Sequence, residues 1–110
     1  MDFGLPDAAI EKIRLALARH PEVEQAKLYG SRARGTFKNS SDIDLTLQGE
    51  QLTHRTLLRL MDELDDLLLP WMIDLSIFSA LDHPALRHQI ERDGVIFYER
   101  VQPRGQVRRT

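Results

Sequence analysis

The chain has 110 residues, with 15 Lys or Arg against 17 Asp or Glu, so its formal net charge is −2. A chain of this length, with 42% hydrophobic residues, can bury one core but is too short for several lobes. The absence of cysteine excludes a disulfide scaffold, a thiolate metal site and a cysteine nucleophile. The near balance of charge argues against a dedicated nucleic-acid binder, which normally carries a strongly basic face.

The sequence contains no segment typical of export or membrane insertion. Its first residues lack the basic and apolar regions of a signal peptide. The longest apolar run, residues 67–73, is interrupted by Pro70 and is far shorter than the roughly 20 residues of a membrane span. We therefore expect a cytoplasmic protein with no membrane partner, which fits the lack of cysteine.

The first third of the chain predicts a helix followed by a strand. Apolar residues at helical spacing predict a helix over residues 6–20, which Pro21 ends. Residues 23–29 are typical of a strand, with Ala26 and Leu28 on one face.

A polar stretch bounded by Gly30 and Gly35 then interrupts both periodicities, which predicts a tight turn with a short helix behind it. Residues 42–47 alternate strictly between polar and apolar side chains. This alternation predicts a half-buried strand whose outer face carries Asp42 and Asp44.

The second half of the chain predicts two further helices and two further strands. An apolar stripe at helical spacing over residues 53–69 is the clearest helix signal in the sequence. Its members are Leu57, Leu60, Met61, Leu64, Leu67 and Leu68. Residues 72–78 alternate again as a strand, and residues 84–93 predict a short helix ended by Gly94 as its C′ residue. Residues 95–98 complete the pattern as a last short strand.

The order of these elements predicts one α+β domain over residues 1–100, in which helices flank a small mixed β-sheet. Neither an internal repeat nor a linker divides this part of the sequence. Residues 101–110 contain three arginines and no periodicity, and we interpret them as a flexible Arg-rich tail.

Three aspartates form the candidate metal site. Asp42 and Asp44 are two residues apart on one predicted strand, so their carboxylates leave the same face with Cβ atoms roughly 7 Å apart. If the strand that bears Asp74 pairs beside this one, a third carboxylate joins them. Such a cluster favours Mg²⁺ or Mn²⁺, which prefer oxygen ligands. The alternative interpretation is an acidic strand edge that faces solvent, or an Asx turn.

The turn that precedes these aspartates is the candidate phosphate site. Gly30 leaves its backbone N–H unencumbered and Ser31 adds a small hydroxyl, as a phosphate-binding nest requires. Among the cations of the same loop, we predict Arg32 as a phosphate contact and leave Arg34 and Lys38 unassigned. The alternative is a simple turn glycine followed by a serine N-cap. Phosphate donors beside metal ligands are the components of two-metal nucleoside-triphosphate chemistry.

The spacing of these residues resembles that of a known family. Gly30-Ser31, ten further residues and Asp42-Ile43-Asp44 are similar to the GSx10DxD signature of the DNA polymerase β-like nucleotidyltransferase superfamily. Within it, the chain resembles the minimal nucleotidyltransferase (MNT) group, the MntA-like antitoxins that are paired with HEPN toxins. The stretches that carry this resemblance are Leu28-Tyr29-Gly30-Ser31-Arg32-Ala33-Arg34-Gly35 and Ser41-Asp42-Ile43-Asp44-Leu45. The resemblance extends over residues 6–98.

The resemblance implies the polymerase β-like fold and transfer of AMP from ATP with two Mg²⁺ ions, or Mn²⁺ in their place. It implies that Asp42, Asp44 and Asp74 are the catalytic metal ligands and that Gly30 and Ser31 bind the triphosphate. In the antitoxin group the acceptor is a tyrosine hydroxyl of the cognate HEPN ribonuclease, which the modification silences. The lack of a second domain in this sequence fits a protein acceptor that completes the site.

Two other functions stay open. The chain could be a non-catalytic nucleotide-binding antitoxin that inhibits its partner by occlusion, or a nucleotidyltransferase that acts on a small molecule or an RNA end. The expected partners are ATP and a HEPN-domain toxin, without direct nucleic-acid binding. A homo-oligomer is a further alternative. The nucleotide preference and the number of AMP units transferred do not follow from the sequence.

Overall fold

The computed structural model of the chain describes residues 3–101, so the predicted tail after Val101 lies outside the described residues. In chain order the elements are helix α1 (Asp7–Ala18), strand β1 (Gln25–Tyr29), helix α2 (Ser31–Arg34), strand β2 (Ile43–Gln48), helix α3 (His54–Asp65), strand β3 (Ile73–Ile77), a 3-10 turn (Phe78–Ala80), helix α4 (Pro84–Asp93) and strand β4 (Val95–Glu99). This confirms the predicted α+β class. Among these elements, no helix has the length and apolar character needed to cross a bilayer.

The four strands form one mixed sheet in the order β3-β2-β1-β4. Strand β1 pairs antiparallel with β2 and β4, whereas β2 and β3 are parallel. A parallel pair needs a crossover connection, which α3 supplies between β2 and β3. The register pairs Tyr29 with Asp44 and Asp44 with Asp74. These three residues therefore form one row across the sheet, with their side chains on the same face.

The core occupies the other face of the sheet. Strand residues that alternate with this row, such as Leu28 and Leu45, are fully buried there. The buried side chains of the core are Phe3, Leu5, Ile10, Ile13, Ala16, Leu17, Val23, Ala26, Leu28, Ile43, Leu45, Leu47, Leu60, Leu64, Leu75 and Phe97. Helices α1 and α3 contribute to this cluster and contact each other. Helix α4 contacts β1 and buries Ile90 outside the cluster.

Helix α3 is shorter than the helix predicted over residues 53–69. It ends at Asp65, and Leu68 beyond it has a φ of 55°. A left-handed residue cannot continue a right-handed helix, so the chain turns before it reaches Pro70. Leu68 is 88% exposed as a result, and Met61 is also exposed. These two members of the apolar stripe therefore do not belong to the buried core.

Gly94 follows α4 as predicted but does not have the left-handed geometry of a C′ glycine. Its φ is −65° and its ψ is 146°, which is extended backbone. The reason for a glycine here is space, because a Cβ would overlap the carbonyl oxygen of Ile90. At the other end of the helix, the amide of Leu86 donates to Nδ1 of His83 at 3.0 Å, so a histidine caps α4.

Candidate active site

Two of the three candidate carboxylates lie side by side on the face opposite the core. The parallel register pairs Asp44 of β2 with Asp74 of β3, and neighbouring strands are about 4.8 Å apart. Asp42 immediately precedes β2. Asp44 is half-buried, whereas Asp42 and Asp74 are exposed. The structure thus places all three aspartates at one end of two adjacent strands, and their catalytic role stays a prediction.

The electrostatics of this row centre on Asp44. Partial burial raises the pKa of the Asp44 carboxyl, and the negative charges of Asp74 and Asp42 raise it further. Arg34 acts in the opposite direction without cancelling the effect. Asp44 therefore experiences a net repulsion from its two neighbours, which a bound cation would offset.

The Gly30-Ser31 turn lies directly against Asp44. Gly30 has a φ of 79° and a ψ of −154°, a conformation that side chains with a Cβ rarely adopt. A Cβ at this position would also overlap Oδ2 of Asp44. Ser31 opens α2, whose first amide groups have no acceptor within the helix. The backbone amides of the Gly30-Ser31 turn and the carboxylate of Asp44 are therefore neighbours, with no side chain at Gly30 to separate them.

Arg32 does not lie where a phosphate contact requires. Its side chain is only 1% exposed. The guanidinium donates to backbone carbonyl oxygens at 2.9–3.5 Å. These acceptors belong to Phe3, Lys38, Asn39 and Ser41. Because the donors are directed at the protein backbone, the predicted phosphate contact of Arg32 does not fit the structure.

Arg34 is the cation that acts on the carboxylate row. It is exposed at the end of α2, and its charge opposes the upward shift in the pKa of Asp44. Lys38 is also exposed, and its backbone N–H donates to Oγ of Ser41 at 2.8 Å within the following loop. Of the three loop cations, Arg34 is the one whose charge lowers the pKa of Asp44.

Tyr29 belongs to the same row but received no role from sequence reasoning. It is half-buried at the end of β1, opposite Asp44. Burial raises the pKa of its hydroxyl, Asp74 and Asp44 raise it further, and a hydrogen bond with Ser76 partly offsets them. The phenol therefore stays protonated at neutral pH. Its position directly before Gly30 was the only signal in the sequence.

The family model described as "Polymerase beta, Nucleotidyltransferase" matches residues 11–103. The chain belongs to this nucleotidyltransferase family. The match includes the Gly30-Ser31 turn and the aspartates Asp42, Asp44 and Asp74. No curated protein sequence gives a significant match.

Several solved structures share the fold of this nucleotidyltransferase. A chain from the crystal structure of a toxin-antitoxin with AMP-PNP has 24% identity and a TM-score of 0.67, and the match covers 83% of this chain and 73% of that one. A chain from the toxin-antitoxin MntA-HepT has 20% identity, a TM-score of 0.63 and coverages of 86% and 74%. The tri-AMPylated Shewanella oneidensis HEPN toxin in complex with MNT antitoxin provides another, with 20% identity, a TM-score of 0.63 and coverages of 84% and 71%.

The donor chemistry of the carboxylate row fits a divalent cation. Within residues 3–101, no group of three or more His, Cys, Asp or Glu side chains is arranged to hold a metal ion by itself. Asp42, Asp44 and Asp74 nevertheless offer carboxylate oxygens, and the repulsion of Asp44 by the other two carboxylates favours a bound cation. Mg²⁺ in nucleotide sites takes few carboxylates and completes its coordination with water and substrate phosphates. Asp42, Asp44 and Asp74 are the residues of this nucleotidyltransferase that could hold it.

Proposed function

We propose that the chain is an Mg²⁺-dependent nucleotidyltransferase of the MNT antitoxin kind, which transfers AMP from ATP to a tyrosine hydroxyl of a HEPN-domain toxin. The observation that carries the proposal is the contact between the Gly30-Ser31 turn and Asp44, which is paired with Asp74. Backbone amides that could bind phosphate therefore lie beside carboxylates that could bind a metal ion. The family match and the fold shared with complexes that contain AMP-PNP or AMPylated toxin support it.

Each residue of the site has a distinct task in this proposal. The amides of Gly30 and Ser31 bind the triphosphate, and Arg34 neutralises part of its charge. Asp42, Asp44 and Asp74 would hold the divalent ions, which when bound would supply positive charge to the phosphates and lower the pKa of the attacking hydroxyl.

Asp74 lies on the exposed side of the row. Its carboxylate accepts the proton that the attacking tyrosine hydroxyl loses. The acceptor oxygen bonds to the α-phosphorus while the bond to pyrophosphate breaks.

The open position of Asp74 favours a macromolecular acceptor. Strand β3 is at the edge of the sheet, so one side of the site is not covered by another strand of the described chain. Asp74 is exposed at this edge. A tyrosine on the surface of a partner protein can reach such a site without entering a closed pocket. A cytoplasmic location is part of this proposal, because ATP is available there.

The test is the intact mass of a HEPN-domain toxin, sought among the proteins encoded beside this chain, after incubation with the chain, ATP and Mg²⁺. We expect the mass to increase by one or more AMP units with the wild-type chain. The control is the Asp42→Asn/Asp44→Asn double variant, which should give no increase. A tight complex with no change in mass would contradict the proposal and favour inhibition by occlusion. Transfer to RNA or a small molecule in place of the protein would contradict the assigned acceptor.

A further inference from the structure

Arg32 is the largest fully buried side chain in the described part of the chain. A buried cation is costly unless its donors are paired. Here the pairing is extensive, with five hydrogen bonds from the guanidinium to backbone carbonyl oxygens. The Phe37 and Trp71 rings lie 5.1 and 5.9 Å from its central carbon and add cation–π attraction. Together these contacts fix the side-chain conformation of Arg32.

Two of these hydrogen bonds end on the backbone of the candidate metal site. Nε and Nη2 of Arg32 both donate to the carbonyl oxygen of Ser41, at 3.1 and 3.0 Å. This carbonyl belongs to the peptide group that joins Ser41 to Asp42. The next peptide is held as well, because the amide of Ile43 donates to the carbonyl of Met72 at 2.9 Å. The backbone on both sides of Asp42 is therefore restrained.

The remaining contacts brace the loop that leads into Asp42. Arg32 also donates to the carbonyl oxygen of Asn39 at 3.2 Å, and Nε1 of Trp71 donates to the same oxygen at 2.8 Å. A further bond, 2.9 Å long, reaches the carbonyl of Phe3. The side chain of Arg32 thus connects helix α2 with the N-terminal segment and with the loop before β2.

We propose that Arg32 is a positioning residue that orients Asp42 for divalent-cation binding through the Ser41–Asp42 peptide. The inference rests on the metal site of the proposed function. Asp44 lies within β2 and is oriented by the strand, whereas Asp42 lies just outside it and depends on the loop. A planar guanidinium holds several carbonyl oxygens at once, and an ammonium in its place cannot reproduce that fork. Residues that orient a metal ligand commonly affect metal affinity by about 10–100-fold.

The test is Mn²⁺ binding to the purified full chain without nucleotide, followed by electron paramagnetic resonance of the free ion. Arg32→Lys keeps the charge and loses the fork, and we expect it to weaken Mn²⁺ binding by about 10-fold or more. Circular dichroism checks that the variant is folded. A folded Arg32→Lys protein with wild-type Mn²⁺ affinity overturns the inference. So does wild-type Mn²⁺ affinity combined with a raised KM for ATP, which would make Arg32 a phosphate contact.

Arg100→Lys is the matched control. Arg100 also donates to backbone carbonyls, those of Ala18, His20 and Val23, at 2.8–3.3 Å. It follows β4 near Gln25, at the opposite end of β1 from Tyr29. This variant loses a similar set of hydrogen bonds, so we expect it to lower the melting temperature without a change in Mn²⁺ affinity. An equal loss of affinity in both variants would mean that general destabilisation, and not the position of Asp42, is measured.

A milder variant covers the case in which Arg32→Lys fails to fold. Trp71→Phe keeps an aromatic ring beside Arg32 but removes the N–H that donates to Asn39, together with part of the ring volume. We expect a smaller decrease in Mn²⁺ affinity in the same direction, and unchanged affinity overturns the inference. The readout does not involve AMP transfer. Wild-type Mn²⁺ binding without transfer therefore contradicts only the proposed activity, whereas a wild-type chain that transfers AMP but does not bind Mn²⁺ without nucleotide overturns only this inference.

Discussion

Replacing Asp44 with Asn should make the protein more stable in the absence of metal. Asp44 and Asp74 are paired on adjacent strands, so their charges are about 5 Å apart. At that distance two unit charges repel by about 0.8 kcal/mol in water and about 3 kcal/mol at an effective dielectric constant of 20. Asp74 is exposed and Asp44 only half-buried, so we expect a gain near the lower value, about 1 kcal/mol. For a domain of this size that raises the melting temperature by about 4–8 °C.

The stability that Asp44→Asn gains over the wild type should increase with pH. The pKa of Asp44 in the folded protein is above its ordinary value of 3.8. The native state therefore binds more protons than the unfolded state between these two pKa values, and wild-type stability falls as the pH rises through this window. The destabilisation is fully present above the raised pKa. The advantage of Asp44→Asn should accordingly be largest at neutral pH and shrink as the pH falls toward 3.8.

Thermal unfolding of both proteins with EDTA, between pH 4 and pH 8, measures this difference. Asp82→Asn is the control, because Asp82 is an exposed aspartate outside the carboxylate row, and its replacement should change stability by less than about 0.5 kcal/mol. Added Mn²⁺ should stabilise the wild type through binding to the native state and leave Asp44→Asn nearly unchanged. A metal-free Asp44→Asn protein that melts at or below the wild-type temperature at pH 8 would refute the electrostatic argument.

Four further variants test the turn, the core and a helix cap. Gly30→Ala should abolish binding of a fluorescent ATP analogue, because the added Cβ would overlap Asp44. Gly35→Ala is the control. Gly35 also has a φ of 79° but has open space around it, so its replacement measures only the cost of a Cβ on left-handed backbone. Similar ATP binding by the two variants would argue against the turn as the phosphate site. Leu60→Ala should lower the free energy of unfolding in urea by about 2–5 kcal/mol, since Leu60 is fully buried. Thr53→Ala removes the side-chain acceptor for the first turn of α3 and should cost about 1 kcal/mol in the same assay, with no change in ATP binding.

Local patterns were enough to predict the helices and strands, because side-chain periodicity is a property of neighbouring residues. The alternation over residues 42–47 corresponds to β2, and the apolar stripe with Leu60 and Leu64 corresponds to α3. The end of α3 could not be predicted in this way. The stripe continues past Asp65, and only the left-handed backbone of Leu68 shows where the chain leaves the helix.

The candidate site was predictable where its residues are close in sequence and less so where distant segments meet. The spacing of Gly30 and Asp44 pointed to a shared site, and the structure places them in contact. Sequence reasoning chose Arg32 over Arg34 as the phosphate contact, although both are cations of one short loop. Their difference arises from acceptors far along the chain, such as the carbonyl of Phe3. Only the folded structure shows that Arg32 is buried among backbone carbonyls while Arg34 acts on the carboxylates.

The topology explains why ten residues separate Ser31 from Asp42. Strands β1 and β2 are antiparallel, so the end of β1 and the beginning of β2 lie at the same end of the sheet. Helix α2 and its loop occupy the intervening residues and return the chain to that end. Strand β3 is parallel to β2, and Asp74 holds the same second position in its strand as Asp44 does. Strand direction therefore brings the turn and the carboxylates together, and the loop held by Arg32 determines where Asp42 joins them.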